Sequence, residues 1–350
     1  MKNDGRYYFL DTLKIICALL IMLHHYQQCF DVKFSAINFY GGLFNCGYLV
    51  ELFFMISGFL ATNSILKHPK PLLHDFVHRA LRLYPMAIVT CGFYLLLYWG
   101  YTMLAGAWFF PQETHDLPNI VRSFLLLPQP SGTFALNNPT WYLAGLVQCF
   151  IVMEICRYFG ERHPQWKNAS LYAVFFVSSL WLITNLPHPF IILRGLVPFF
   201  AGILLRLVFQ QDVLREKGQK VVLATLFLAA SLCLFRPEFF LGHGRVQQLL
   251  LVFMVYPSLL FYGITSRRVI NRDYIYIYIS YISAISFGAY LWHFPVYATF
   301  IAFCTKVYGT VPTGIGYMIA LIIGVSLLSV ASYECIEKKF AAWTRQVEGK

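Results

Sequence analysis

The chain has 350 residues, of which 58% are apolar and only 12% are charged, and its mean hydropathy is +0.60. Because soluble domains carry about 25% charged residues, this composition excludes an ordinary soluble protein and indicates an all-α, polytopic integral membrane protein. The formal net charge of +11 is dispersed among short loops, which argues against nucleic-acid binding.

Ten hydrophobic stretches approach the length of about 20 residues that a helix needs to cross a bilayer. They lie at about 9–29, 43–66, 84–105, 140–160, 169–187, 189–208, 220–236, 247–264, 281–304 and 314–335. The longest connection, residues 106–139, is too short to be a separate domain. We therefore predict about ten transmembrane helices in a single membrane-embedded domain, residues 1–350, with no soluble domain attached.

The first span, within residues 7–30, carries Asp11, Lys14, His24 and His25. Ionisable side chains are costly inside a membrane, so they indicate a functional site. Lys14 and His25 are eleven residues apart and lie within roughly 20° of the same helix face, whereas His24 points about 80° away. The pattern predicts a polar path along one face of this helix.

Glu51 lies near the outer end of the second span, at a depth similar to that of His25. A carboxylate there could fix the tautomer of the His25 ring and raise its basicity. Alternatively, Glu51 pairs with another helix or reaches the membrane surface. Ser57 and Gly58 fit close helix packing, because small residues let membrane helices approach.

Arg79 and Arg82 follow the second span and project from the same side of a helix. Two neighbouring guanidinium groups form a receptor for phosphate, and ordinary anchoring of a cytoplasmic loop is the alternative. Further along, Trp141 and Tyr142 could stack against a sugar or be ordinary interfacial aromatics. His293 lies mid-span near Pro295, where it could position a substrate or bond to a neighbouring helix.

The nine cysteines show no ligand spacing, so we expect neither a disulfide framework nor a metal site. In their order and spacing, seven segments resemble the acyltransferase 3 family, integral-membrane O-acyltransferases of bacterial surface glycans. The segments are FLDTLK…LHH at 9–25, ELFFMISGFL at 51–60, HRALRLYP at 78–85, NNPTWYL at 137–143, RGLVPFFAGILL at 194–205, ISFGAYLWHFPV at 285–296 and SYECIEKKF at 332–340.

The resemblance implies acyl-CoA, most often acetyl-CoA, as a donor substrate with no permanently bound cofactor. It implies a carbohydrate or glycolipid hydroxyl as acceptor, and a location in the inner (cytoplasmic) membrane. The family's motif of a basic residue, ten residues and a histidine falls on Lys14 and His25, with lysine where arginine is common. Its double-arginine motif falls on Arg79 and Arg82. The acid that many relatives carry in the fourth span is missing from WYLAGLVQ at 141–148.

Together these features predict His25 and Glu51 as catalytic residues, and Lys14, Arg79 and Arg82 as donor-binding residues. The candidate acceptor-binding residues are Trp141, Tyr142 and His293. Whether His25 carries the acyl group covalently or acts only as a base is left open. A transporter or flippase for a glycan-related substrate is the alternative, because intramembrane charges and proline-broken spans also fit transport.

The distribution of Lys and Arg predicts the orientation. With ten spans, 20 of the 27 basic residues lie on the side of the termini and six on the opposite side, with Lys14 inside the membrane. Basic loops stay cytoplasmic, so both termini should be cytoplasmic and residues 106–139 should be outside. A reporter that is active only outside the cytoplasm should be silent at residue 350 and active within 106–139. The reverse pattern would overturn this topology.

Overall fold

The structure, a computed structural model, describes residues 7–34, 38–41, 45–67, 71–130, 132–184, 193–210, 218, 221–222, 224–226, 228–229, 244–265 and 273–348. These residues are predominantly helical and contain no β-strand. The main helices are α1 (Tyr8–Phe30), α2 (Leu49–Lys67), α3 (Leu72–Leu81), α4 (Tyr84–Ala105), α5 (Leu117–Phe124), α6 (Thr140–Arg162), α7 (Lys167–Thr184), α8 (Leu193–Phe209), α9 (Gly244–Leu250), α10 (Tyr256–Thr265), α11 (Asp273–Tyr308), α12 (Ile315–Ser332) and α13 (Lys338–Glu348).

Seven helical segments of the described part are long and apolar enough to cross a membrane. They are Tyr8–Phe30, Cys46–Leu66, Leu72–Ala105, Thr140–Arg162, Arg245–Thr265, Ile275–Tyr308 and Ile315–Thr344. The all-α, multi-pass class is therefore confirmed, and the count of about ten spans is not. The helices at two other predicted spans, α7 and α8, have 18 and 17 residues. The predicted span 220–236 lies mostly outside the described residues.

Helices α2 and α8 run side by side in the same direction and touch through their backbones. A methyl group added at Gly58 would collide with the carbonyl of Phe199, and one added at Gly202 would collide with the carbonyl of Met55. Glycine at both positions removes the side chains that would hold the helices apart. The close-packing interpretation of Gly58 is therefore confirmed.

Helices α1 and α11 form a second parallel pair, which two hydrogen bonds connect at different heights along the helices. The Ser283 hydroxyl donates a hydrogen bond to Asp11 Oδ1 at 3.0 Å, and the Tyr297 hydroxyl donates to the Met22 carbonyl at 3.1 Å. Both donors are buried. These bonds satisfy polar groups inside an apolar bundle and fix the register of α11 against α1.

Helix α3 is short and amphipathic and connects α2 to α4. Leu73, Val77 and Leu81 are exposed at intervals of four residues, whereas Asp75 on another face is buried. An exposed apolar stripe opposite an inward-facing polar one is typical of a helix that lies along a membrane surface. In this position α3 directs its polar face towards the interior of the bundle.

Candidate functional site

A cavity of about 850 Å³ lies between α1, α2, α3, α6, α11 and the C-terminal helices. One end is basic and is lined by Lys14, Arg79 and Arg82. The other end is aromatic and is lined by Phe53, Tyr142 and Tyr290, among others. The three residues predicted to bind the donor therefore share one cavity, although Lys14 is more than 60 positions from the two arginines in the sequence.

Lys14 has an acidic neighbour within the cavity. Its Nζ lies 3.4 Å from Asp11 Oδ1, the oxygen that also accepts the Ser283 hydroxyl. The Asp11 side chain is 8% exposed and that of Lys14 is 28% exposed. Asp11 thus lowers the cost of a lysine inside the bundle and holds it at the cavity wall.

Arg79 is held by a network of ion pairs between α3 and α6. Its Nη2 donates to Asp75 Oδ2 at 3.0 Å and to the carbonyl of Ala61 at 3.3 Å. Arg157 Nη1 donates to the same Asp75 oxygen at 3.1 Å and to Glu154 at 2.8 Å. Arg79 Nε is buried without a hydrogen-bond partner. The network therefore fixes the guanidinium group at the wall of the cavity.

The two neighbouring histidines of α1 have different surroundings. His24 is buried, and its Nδ1 lies 3.0 Å from the carbonyl of Phe39, which anchors the loop after α1. His25 Nδ1 lies 2.9 Å from Gln28 Oε1. Because an amide oxygen can only accept, this bond puts the His25 proton on Nδ1 and leaves the lone pair on Nε2. His25 thus has a free basic nitrogen, whereas His24 is committed to the loop.

The second ring beside His25 is that of His293. The two rings stack with their centroids 5.1 Å apart and their planes at 25°. His293 is completely buried, and neither of its ring nitrogens makes a hydrogen bond, although the carbonyl groups of Ala289 and Tyr290 lie nearby. The His293 and Tyr290 rings are 5.9 Å apart, so His293 lies between the aromatic end of the cavity and His25.

Glu51 does not pair with His25, and the predicted direct contact is corrected by the structure. Its oxygens accept from Arg194 Nε at 2.7 Å, Arg194 Nη2 at 3.3 Å and Gln248 Nε2 at 2.7 Å. A fully buried carboxylate needs a charged partner, and Arg194 on α8 supplies it. The alternative that Glu51 pairs with another helix is therefore the observed one. Glu51 reaches the histidines only indirectly, because Arg194 also bonds to Gly47, which packs against His24.

The carbonyl that Pro295 leaves unpaired within α11 is bound by a side chain from another segment. Proline has no N–H, so the carbonyl of Leu291 loses its bond within the helix. Asn137, which is fully buried, donates its Nδ2 to this carbonyl at 3.0 Å. The NNPTWYL segment thereby fixes the part of α11 that carries His293.

Trp141 and Tyr142 lie in different surroundings. Tyr142 is buried, its hydroxyl is 3.2 Å from Ser57 Oγ, and it lines the cavity together with Lys14. The Trp141 ring is covered by the guanidinium group of Arg194 at 4.8 Å. These adjacent side chains diverge, since consecutive helical residues point about 100° apart. Their role in acceptor binding stays a prediction, and Tyr142 lines the same cavity as the donor-binding candidates.

An aromatic cluster after α4 covers the histidines on the side away from the cavity. Phe294 lies 6.1 Å from His25 and contacts Tyr94 at 5.9 Å, ring to ring. Tyr94 and Trp108 both donate to Glu113 Oε2, at 2.7 and 2.9 Å. Burial raises the pKa of the Glu113 carboxyl to about 7. The cluster thus places a carboxyl group with a raised pKa on this side of the site.

Sequence analysis missed Arg194 as the partner of Glu51, and it missed Asp75, Arg157 and Asn137. One signal for Arg194 was present: the spacing from Glu51 to Asn63 on α2 equals that from Arg194 to Arg206 on α8. Arg206 Nε indeed donates to Asn63 Oδ1 at 3.1 Å. Among the described residues, no cluster of His, Cys, Asp and Glu is suited to a metal ion.

One of three comparisons with known proteins identifies a family. A family model described as an acyltransferase domain matches residues 7–333, nearly the whole chain. This match confirms the resemblance identified from the sequence motifs. None of the curated proteins matches the chain, and no solved structure matches it.

The Glu51–Arg194 pair generates a prediction about stability. Removing one partner of a buried ion pair costs about 3–5 kcal/mol, because the other charge stays buried. Arg194→Ala should therefore lower the thermal stability of the purified protein strongly, and Glu51→Gln combined with Arg194→Gln should recover part of the loss. The control is Arg206→Ala at the other end of α8, where the partner Asn63 is neutral. Equal melting temperatures for Arg194→Ala and Arg206→Ala would contradict the central role of this ion pair.

Proposed function

Because the chain belongs to the acyltransferase domain family over residues 7–333, we propose that it is a membrane acyltransferase that uses acyl-CoA. In this proposal it moves an acyl group, with acetyl as the expected one, to a hydroxyl group of a cell-surface or lipid-linked carbohydrate. The supporting observation is the cavity that joins Lys14, Arg79 and Arg82 to an aromatic end beside the stacked rings of His25 and His293.

The two ends of the cavity match the two ends of the donor. The phosphates of CoA are anionic, and guanidinium groups bind phosphate through charge-assisted hydrogen bonds. The pantetheine arm is thin and less polar, which suits the narrower apolar surroundings of Tyr142 and Tyr290. A volume of about 850 Å³ lies within the range of about 300–1,000 Å³ that is typical of ligand pockets.

His25 provides the base that the reaction needs. Its Nε2 lone pair takes the proton of the acceptor hydroxyl as the oxygen attacks the acyl carbon. The hydrogen bond that His25 Nδ1–H donates to Gln28 Oε1 holds the ring in the tautomer that leaves Nε2 free. Since Gln28 is exposed at the end of α1 far from Lys14, the acceptor enters from the side opposite the basic end of the cavity.

The orientation follows from the distribution of basic residues. The basic end of the cavity faces the cytoplasm, where CoA is found, and both termini lie on that side. His25 is about 16 Å along α1 from Lys14, so it lies towards the outer face of the inner membrane. Acyl groups thus enter from the cytoplasm and leave on a glycan at the other side.

The donor site can be tested by binding. Arg79→Ala or Arg82→Ala should weaken acyl-CoA binding by about 1.5–3 kcal/mol, the scale of a hydrogen bond to a charged group. Replacement by Lys should restore only part of it, because lysine lacks the planar fork. Arg162→Ala removes an exposed charge from the end of α6 and should leave the affinity unchanged. Unchanged affinity in a folded Arg79→Ala/Arg82→Ala variant would make these residues plain topology anchors.

The reaction is tested with labelled acetyl-CoA and membranes that contain the acceptor glycan. His25→Ala should lower the rate of acyl transfer by at least about 10²–10⁴-fold, the cost of losing a general base, while CoA binding persists. His24→Ala should have a milder effect, because His24 holds a loop. An inactive His24→Ala protein beside an active His25→Ala protein would move the catalytic assignment by one residue. No transfer and no CoA release by the wild type would refute the proposed function.

A further inference from the structure

His293 occupies an environment that packing alone does not explain. It is completely buried, and neither ring nitrogen has a hydrogen-bond partner. Buried polar groups are nearly always hydrogen-bonded, because leaving them unsatisfied costs free energy. The neighbouring buried histidine, His24, does have such a partner, because its ring bonds to the carbonyl of Phe39. A histidine that keeps both nitrogens free at this cost is suited to bind or react with a ligand.

The position of His293 lies between the donor cavity and His25. Ser283 on α11 is level with Asp11 on α1, so His293 is level with a point about four residues before His25. At 1.5 Å per residue, this offsets the His293 backbone by about 6 Å along the bundle relative to that of His25, while the two rings stay side by side with centroids 5.1 Å apart. It also follows Tyr290, a cavity-lining residue, by one helical turn. A thioester beside Tyr290 would lie about one helical turn from His293, which is itself not part of the cavity lining.

The surroundings keep this ring in place. The His25 and His293 rings are stacked with their centroids 5.1 Å apart. The hydrogen bond that Asn137 donates to the Leu291 carbonyl holds the part of α11 next to His293. Holding reactive groups in the correct geometry raises the rate of the reaction between them. A group attached to a His293 nitrogen would therefore stay within reach of the His25 ring.

We propose that His293 is the nucleophile that receives the acyl group from acyl-CoA and presents it to the acceptor hydroxyl beside His25. This inference rests on the proposed function and divides its chemistry between two histidines. His293 acts towards the cavity that holds the donor, and His25 acts towards the acceptor. The division explains how an acyl group crosses from one side of the bundle to the other without the whole donor crossing.

Both steps balance. In the first, the lone pair of one His293 nitrogen attacks the thioester carbon, a C–N bond forms and the C–S bond breaks. CoA leaves as a thiolate and takes the proton from the other ring nitrogen, which gives free thiol and a neutral acyl-imidazole. In the second, the hydroxyl oxygen attacks the acyl carbon, and His25 Nε2 takes its proton. The C–N bond breaks, and this proton passes to the His293 ring, which restores both histidines.

The test uses the purified full-length protein and radiolabelled acetyl-CoA, with CoA release and protein-bound label as separate readouts. Without acceptor, His25→Ala should release about one equivalent of CoA and hold hydroxylamine-labile label on the peptide that contains His293. His293→Gln and His293→Ala should hold no label and should lose acyl transfer by at least about 10²-fold. The matched control, His24→Gln, changes a buried histidine whose ring lies 4.9 Å from His25 and should keep the label.

The outcomes separate the two proposals. If the wild type transfers acetyl to the glycan while a His293 variant retains its rate, or if the label maps elsewhere, the nucleophile role is refuted and the acyltransferase function stands. If the wild type neither releases CoA nor transfers acetyl, the proposed function and the role of His293 both fail. Unchanged CoA affinity and melting temperature of His293→Gln show that a lost activity comes from chemistry and not from unfolding.

Discussion

The buried ion pair between Glu51 and Arg194 is the interaction on which the rest of the site depends. A bilayer offers no water to a charge, so each charged side chain inside the bundle needs a partner. This pair joins the parallel helices α2 and α8 near their N-terminal ends, before the close contacts at Gly58 and Gly202. Through the carbonyl of Gly47 it also reaches the loop that packs on His24. Removing the pair would loosen the contact between α2 and α8 and the attachment of the loop next to His24.

Charge pairing also explains which groups remain for chemistry. Asp11 neutralises Lys14 from one side, and Asp75 with Arg157 holds Arg79, so these cations stay at the cavity wall at a tolerable cost. The histidines need no counter-charge while neutral, and for this reason they can lie deeper than the arginines. The charged side chain near the histidines, Arg194, is paired in the same way, by Glu51.

The sequence predicted the features that depend on a single helix or a single loop. The register of Lys14 and His25 follows from helical geometry. The expectation that Lys14 and Arg79 bind one donor came from the family motifs, and both side chains line one cavity. The partner of Glu51 could not be predicted in this way, because Arg194 lies 143 residues later and only tertiary packing brings it near. The bond of Asn137 likewise depends on a carbonyl that a proline on another helix leaves unpaired.

The most direct test of this account is a cryo-electron microscopy map of the protein with CoA bound. The account predicts density for the phosphates within hydrogen-bond distance of Arg79 or Arg82. It places the sulfur beside Tyr290, on the side that faces His293. A map in which the phosphates lie next to the histidines, or in which CoA occupies another part of the molecule, would contradict the assignment of the cavity.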